Sequence, residues 1–148
     1  MYKSIMLPYD GSPLSEKALD QGLALAKSSG STVTLLYVLT PHHLLLGGGR
    51  PVPGLKKLEQ QFQDELKKKA HEMLESAKKR ASGASVECNT SIEEGASPHE
   101  VIIARASHLK CDLIIMASHG RRGLEGVLIG SETVKVLTHT KIPVLVVR

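Results

Sequence analysis

The sequence predicts an α/β protein built on an open, parallel five-stranded sheet with helices on both faces. Apolar runs of strand length alternate with stretches of helical periodicity along all 148 residues. The pairs Ser12-Pro13 and Ser97-Pro98 stand where two of those helices would begin, each offering an N-cap followed by a proline at the first helical position. Strand–helix alternation implies right-handed crossovers, hence parallel pairing with helices on either side of the sheet.

Ser4–Tyr9, SIMLPY, is a short apolar run closed by Asp10-Gly11-Ser12-Pro13, which marks a strand and its turn. Leu14, Ala18, Leu19, Gly22, Leu23, Leu25 and Ala26 then recur at helical spacing until Gly30 supplies a stop. Thr32–Leu39, TVTLLYVL, is β-branched and almost continuously apolar, as a strand covered on both faces requires. Pro41–Gly54 has no period and three consecutive glycines, so a loop is expected; its paired His42 and His43 have no third ligand at a supportive spacing. From Leu55 to Ala81 apolar residues fall three or four apart, predicting a long amphipathic helix whose stripe, Met73 included, packs on the sheet. Ser85–Ile92 alternates apolar and polar residues, the pattern of a strand with one wetter face near a sheet edge. A helix follows Ser97-Pro98, then a buried-type strand at Cys111–Ala117, a short helix at Gly130–Thr138, and a last strand at Ile142–Val147.

Composition narrows the function classes. A chain of 148 residues fits one domain with its own core, and a single domain spanning 1–148 is expected. No apolar stretch approaches the roughly 18–20 residues that cross a bilayer, so no membrane partner is expected. Met1–Leu7 runs directly into Pro8, Asp10 and Gly11, which leaves no room for a secretory leader and makes the cytoplasm the expected compartment. Cys88 and Cys111 stand alone, without a C-x-x-C partner, and read as buried free thiols. The net charge of +4 raises nucleic-acid binding. Between Lys56 and Arg80, however, eight Lys and Arg interleave with five Asp and Glu, the pattern of a solvated helix face. With 3% aromatic residues and no Trp, base stacking on aromatic platforms is weakened as a reading, and a nucleic-acid partner is not expected.

The stretch Leu113–Val134, LIIMASHGRRGLEGVLIGSETV, passes from a strand through a glycine-rich loop into a helix start. Such a junction presents backbone N–H groups to a phosphate, and it also serves as an ordinary connection; both readings stand on these residues alone. In a parallel sheet, ligands sit beyond the carboxyl ends of the strands where strand order reverses. Asp10 lies just past the first strand, Val38 near the end of the second and 116–120 at the close of the fourth, and they share one crevice if strands one and four are neighbours.

Pro8-Tyr9-Asp10, Pro98-His99 and the spacing G-x-x-G, nine residues, G-[ST] carry a resemblance to a known family. Here the spacing reads Ala117-Ser118-His119-Gly120, then Arg121 to Ile129, then Gly130-Ser131, and the closing Ile142–Val147 is similar to the family's last strand. Over essentially its whole length the chain resembles the universal stress proteins of the adenine-nucleotide-binding kind. The resemblance implies a Rossmann-like sheet of order 3-2-1-4-5, binding of ATP or AMP/ADP with Mg as an open companion, and a homodimer joined through the last strand. It also implies that Asp10 and Val38 face the adenine with Pro8 shaping the strand end beside it, and that Met116 and Ala117 line the ribose. His119, Gly120, Gly130, Ser131 and Thr133 fall at the phosphates, with hydroxyls and backbone N–H groups donating.

Ala117 stands where the family motif has its first glycine; the methyl is mild in an extended backbone and strained at positive φ. Asp10 also suits an Asx turn, and Ser131 suits a helix N-cap. Arg121 and Arg122 add at most an electrostatic part. His119 lacks a partner carboxylate in the sequence pattern, so it is placed with the binding residues rather than as a general base, and no catalytic residue is assigned. No G-x-x-x-x-G-K-[ST], G-x-S-x-G or G-x-G-x-x-G after the first strand is present. Binding without fast turnover is the expected function, in a nucleotide-responsive regulator of the stress response. A ligand-free interaction module of the same fold and a slow metal-assisted ATP hydrolase are the alternatives.

Overall fold

The computed structural model describes residues 1–41, 53–120 and 129–148. His42 and His43, with most of the expected loop, and Arg121 and Arg122 lie outside the described residues. Among the described residues nine elements alternate in the order β1 (Ser4–Pro8), α1 (Pro13–Ser29), β2 (Thr32–Leu39), α2 (Leu55–Gly83), β3 (Cys88–Glu94), α3 (Pro98–His108), β4 (Leu113–Ala117), α4 (Ser131–His139) and β5 (Val144–Val147). The strands form one parallel sheet in the order β3-β2-β1-β4-β5. Ile5 pairs with Leu113 and Met6 with Ile114, so strands one and four are neighbours, and the order reverses between them.

β1, β2 and β4 send alternate side chains to two apolar cores. Ile5, Leu7, Leu35, Leu113 and Ile115 meet Ala18, Leu19 and Leu23 of α1 and Leu74, Ala77 and Ala81 of α2. Met6, Leu36, Ile114 and Met116 meet Ile102 and Ala106 of α3 and Val136 of α4. Helices therefore cover both faces, and the nearly continuous apolar runs of β1, β2 and β4 follow from that double covering. Cys88 and Cys111 are buried free thiols, and burial pushes the Cys88 thiol up to about 11.

Local chemistry sets the boundaries. The Ser12 side chain accepts from the Ser15 N–H at 3.2 Å as the N-cap of α1, and Gly30 closes the helix at φ 67°. β3 begins at Cys88 rather than at Ser85 as the alternation suggests. Ser85 is left-handed at φ 59°, and the Val86 N–H turns back to the Ala81 carbonyl at 2.9 Å, so the close of α2 takes residues that otherwise read as strand. The strand is nonetheless an edge of the sheet, as its wetter face suggests. The apolar stripe of α2 does not lie on the sheet throughout: its buried residues are Ala70, Leu74, Ala77 and Ala81, while Leu58 and Phe62 are exposed. The helix starts higher than the sheet reaches. Arg80 of α2 pairs with Glu16 and Asp20 of α1, and Tyr9 donates to Glu16, which ties both helices to the end of β1.

Candidate functional site

The carboxyl ends of β1, β2 and β4 open onto a crevice of about 650 Å³, inside the range of small-ligand sites. From β1 it receives Pro8, Tyr9 and Asp10. Tyr9 fixes the strand end through its N–H to the Leu36 carbonyl at 2.8 Å. Burial, and then the hydrogen bond to the Glu16 carboxylate, raises its phenol above the ordinary range. Asp10 Oδ1 accepts the Ser12 N–H at 2.9 Å, the Asx turn that leads the chain into α1.

β2 contributes the half-buried Val38 beside Tyr37, Leu39 and Thr40. β4 contributes Met116 and Ala117, both buried. Ala117 is the last residue of the strand, and the non-glycine residues at positive φ among those described are Ser85 and Lys110. The methyl that departs from the family motif therefore carries no backbone strain.

Beyond Ala117 the chain is held by backbone contacts. The Ser118 N–H donates to the Val147 carbonyl at 2.7 Å, and the Gly130 N–H donates to the Ser118 carbonyl at 2.6 Å. A β-carbon on Gly130 would lie 3.1 Å from His119 Cβ, 3.2 Å from His119 Cα and 3.3 Å from the Ser118 carbonyl oxygen. Close approach rather than backbone conformation favours glycine there, since its φ of −72° suits any residue. Gly130 is also the N-cap of α4, without a side-chain cap, and Ser131 takes the first helical position, so Ser131 is not the cap that its type suggests.

Thr133 is buried, and its Oγ1 donates to the Ala117 carbonyl at 3.1 Å. That hydroxyl proton is spent on β4 rather than turned toward the crevice. The N–H groups of Ser131, Glu132 and Thr133 find no acceptor among the described residues, as the first turn of a helix dictates, and they form the positive pole of α4 at the crevice wall. His119 Nδ1 lies 3.3 Å from Ser118 Oγ, and no carboxylate partner for it occurs among the described residues.

All the sequence-derived candidates, Pro8, Asp10, Val38, Met116, Ala117, His119, Gly120, Gly130, Ser131 and Thr133, line this one crevice. Sequence reasoning missed Phe62 and Leu66 of α2, Pro98 and Ile102 of α3, and Glu132 of α4. Glu132 sits between Ser131 and Thr133 and reaches across to α3. Its Oε2 accepts the His99 N–H at 3.0 Å and contacts His99 Nδ1 at 3.0 Å, while Lys135 Nζ donates to Oε1 at 2.7 Å. Although burial opposes its ionisation, the hydrogen bonds from Lys135 and His99 hold the carboxyl below its ordinary value. It replaces the cap that Ser97 does not give to α3. No group of three or more His, Cys, Asp and Glu placed to hold a metal occurs among the described residues. No helix among them is long and apolar enough to cross a membrane.

Residues 1–148 match the family model described as the Universal stress protein family. A universal stress protein of Methanocaldococcus jannaschii is 36% identical over 160 residues, which cover 100% of this chain and 96% of that one. Its solved structure superposes with a TM-score of 0.83 at 32% identity, over 99% of this chain and 96% of the other. A universal stress protein solved in complex with cAMP has a TM-score of 0.71 at 22% identity, covering 99% of this chain and 97% of its own. Another, from Archaeoglobus fulgidus in complex with dAMP, has a TM-score of 0.66 at 19% identity, covering 99% and 98%. These last two share the fold.

Proposed function

This chain belongs to the universal stress protein family, and from that premise we propose that it binds an adenine nucleotide, ATP or its ADP and AMP relatives, at the β1/β4 switch point. The observation that carries the reading is the convergence of the Asp10, Val38, Met116 and Gly130 regions on one crevice that ends at the positive pole of α4. Pro8, Asp10 and Val38 form the base end, where the Asp10 carboxylate accepts from an exocyclic amine or a ribose hydroxyl. Met116 and Ala117 take the ribose. His119, Gly120, Gly130, Ser131 and Thr133 surround the phosphates, with Thr133 acting through its N–H because its hydroxyl is held by Ala117. The cAMP and dAMP complexes of two relatives are in keeping with this assignment.

A Mg ion entering with the nucleotide would be held mainly by phosphate oxygens and water. We assign no catalytic residue: the protein is a single-domain, cytoplasmic, nucleotide-responsive regulator of the stress response that binds without fast turnover and pairs as a homodimer through β5. Calorimetric titration with ATP, ADP and AMP, paired with thermal-shift measurement, tests the reading. Saturable heat and a rise in melting temperature are expected. Neither response at millimolar nucleotide overturns it and leaves an interaction module of the same fold.

A further inference from the structure

We propose that Phe62 and Leu66 of α2 form the base-side wall of the nucleotide site, with the Phe62 ring laid against the purine. The proposal rests on the nucleotide-binding reading above, and it adds a residue that neither the glycine motif nor the strand ends supply.

Length is the starting point. α2 has 29 residues, about 43 Å at the rise of an α-helix, whereas β3, which follows it, has seven, about 23 Å. A helix that returns antiparallel to the strands must then overshoot the sheet by about 20 Å. Because α2 is entered from the carboxyl end of β2, its excess lies at the N-terminal side, above the strand ends where the crevice opens. Burial agrees, since the first buried residue of α2 is Ala70. Lys67 marks the level of the rim by reaching Glu94, the last residue of β3, at 3.7 Å.

Above that rim, Phe62 and Leu66 stand one helical turn apart and both line the crevice, as do Tyr37 and Val38 of β2. Leu58, on the same helix, is 53% exposed and does not line it. Phe62 keeps 40% of its surface exposed, an apolar area that a flat ring can cover. A purine has two apolar faces and a polar edge. Val38 and Phe62 supply the faces and Asp10 meets the edge, so the wall selects for a planar base rather than for phosphate. Stacking of this kind corresponds to about tenfold in affinity.

Phe62 is the chain's only Phe, so selectively labelled protein displays a single phenylalanine ring system. With ATP at saturation, nuclear Overhauser contacts between that ring and adenine H2 or H8 are expected. In calorimetry, Phe62→Leu is expected to weaken ATP and adenosine about tenfold, while Leu58→Ala leaves both unchanged. Absence of the contact in saturated native protein, or a Phe62→Leu variant that binds like the native chain, overturns this inference alone. A native chain that binds neither ATP nor adenosine overturns the nucleotide-binding reading and this inference with it.

Discussion

Asp10 Oδ2 lies 2.7 Å from the point that a β-carbon on Gly120 would occupy, so the end of the first strand touches the loop beyond the fourth. The other oxygen of the same carboxylate accepts the Ser12 N–H at 2.9 Å. One side chain thus shapes the turn into α1 and the mouth of the crevice together.

Gly120→Ala forces Asp10 to rotate away from Ser12. Nucleotide affinity is expected to fall about tenfold and stability by about 1 kcal/mol, the net worth of one hydrogen bond. Calorimetry and urea denaturation measure the two effects. Native affinity in Gly120→Ala would show that the observed Asp10 rotamer is not the binding one.

Gly130→Val meets backbone rather than a movable side chain, since His119 Cα and the Ser118 carbonyl lie 3.2 and 3.3 Å from the new β-carbon. Overpacking of this sort costs about 2 kcal/mol, and the 2.6 Å bond from Gly130 to Ser118 is strained with it. The urea midpoint should drop accordingly; an unchanged midpoint would mean that the loop yields freely.

Thr133→Val keeps the shape and removes the donor to the Ala117 carbonyl, leaving a buried acceptor unpaired at about 1–2 kcal/mol. Ser131→Ala, at an exposed first helical position, is expected to stay within about 0.5 kcal/mol of native. Equal costs for the two variants in denaturant unfolding would contradict this division of roles.

Glu132 predicts a specific acid sensitivity. Its carboxyl lies below the ordinary value of 4.5 in the folded state, so it stabilises the fold above that pH, and this contribution is lost as pH falls through the lower folded value. Glu132→Gln should therefore show a shallower loss of stability below pH 4.5 than the native chain. Denaturation of both proteins across that range, compared as a difference, isolates Glu132 from Glu16 and Asp112, which are lowered as well. Parallel curves would remove the α3–α4 link from the account.

The proposed dimer is checked by light scattering. β5 is an outer strand of the sheet, and Leu145 on it is 40% exposed, so twice the chain mass of 16.0 kDa is expected for the native protein. Leu145→Lys should return a single-chain mass. A native species of 16.0 kDa would defeat the pairing.

The order of elements was legible because each carries a local signal: β-branched runs for β2 and β4, Ser-Pro starts for α1 and α3. The start of β3 was not, since the left-handed turn at Ser85 and the Val86 bond to Ala81 belong to the close of a helix that begins some thirty residues earlier. At the site, residues on strand ends and in the motif could be placed by position alone. The roles of Thr133 and Glu132 could not, because each depends on a partner far along the chain, Ala117 for one and His99 for the other. Phe62 and Leu66 fit the same apolar stripe as Ala70 and Leu74, and only the relative lengths of helix and strand separate them.

The overhang of α2 divides the crevice into parts with unequal tolerance to change. The floor near Gly130 is built on the carbonyls of Ala117, Ser118 and Val147, so altering it disturbs the end of the sheet. The wall carried by residues 55–69 stands outside both cores and can be resurfaced, lengthened or trimmed without a void beneath it. Redesign toward another ring-bearing ligand belongs on that cantilevered helix, whose side chains at 55–69 belong to neither buried core.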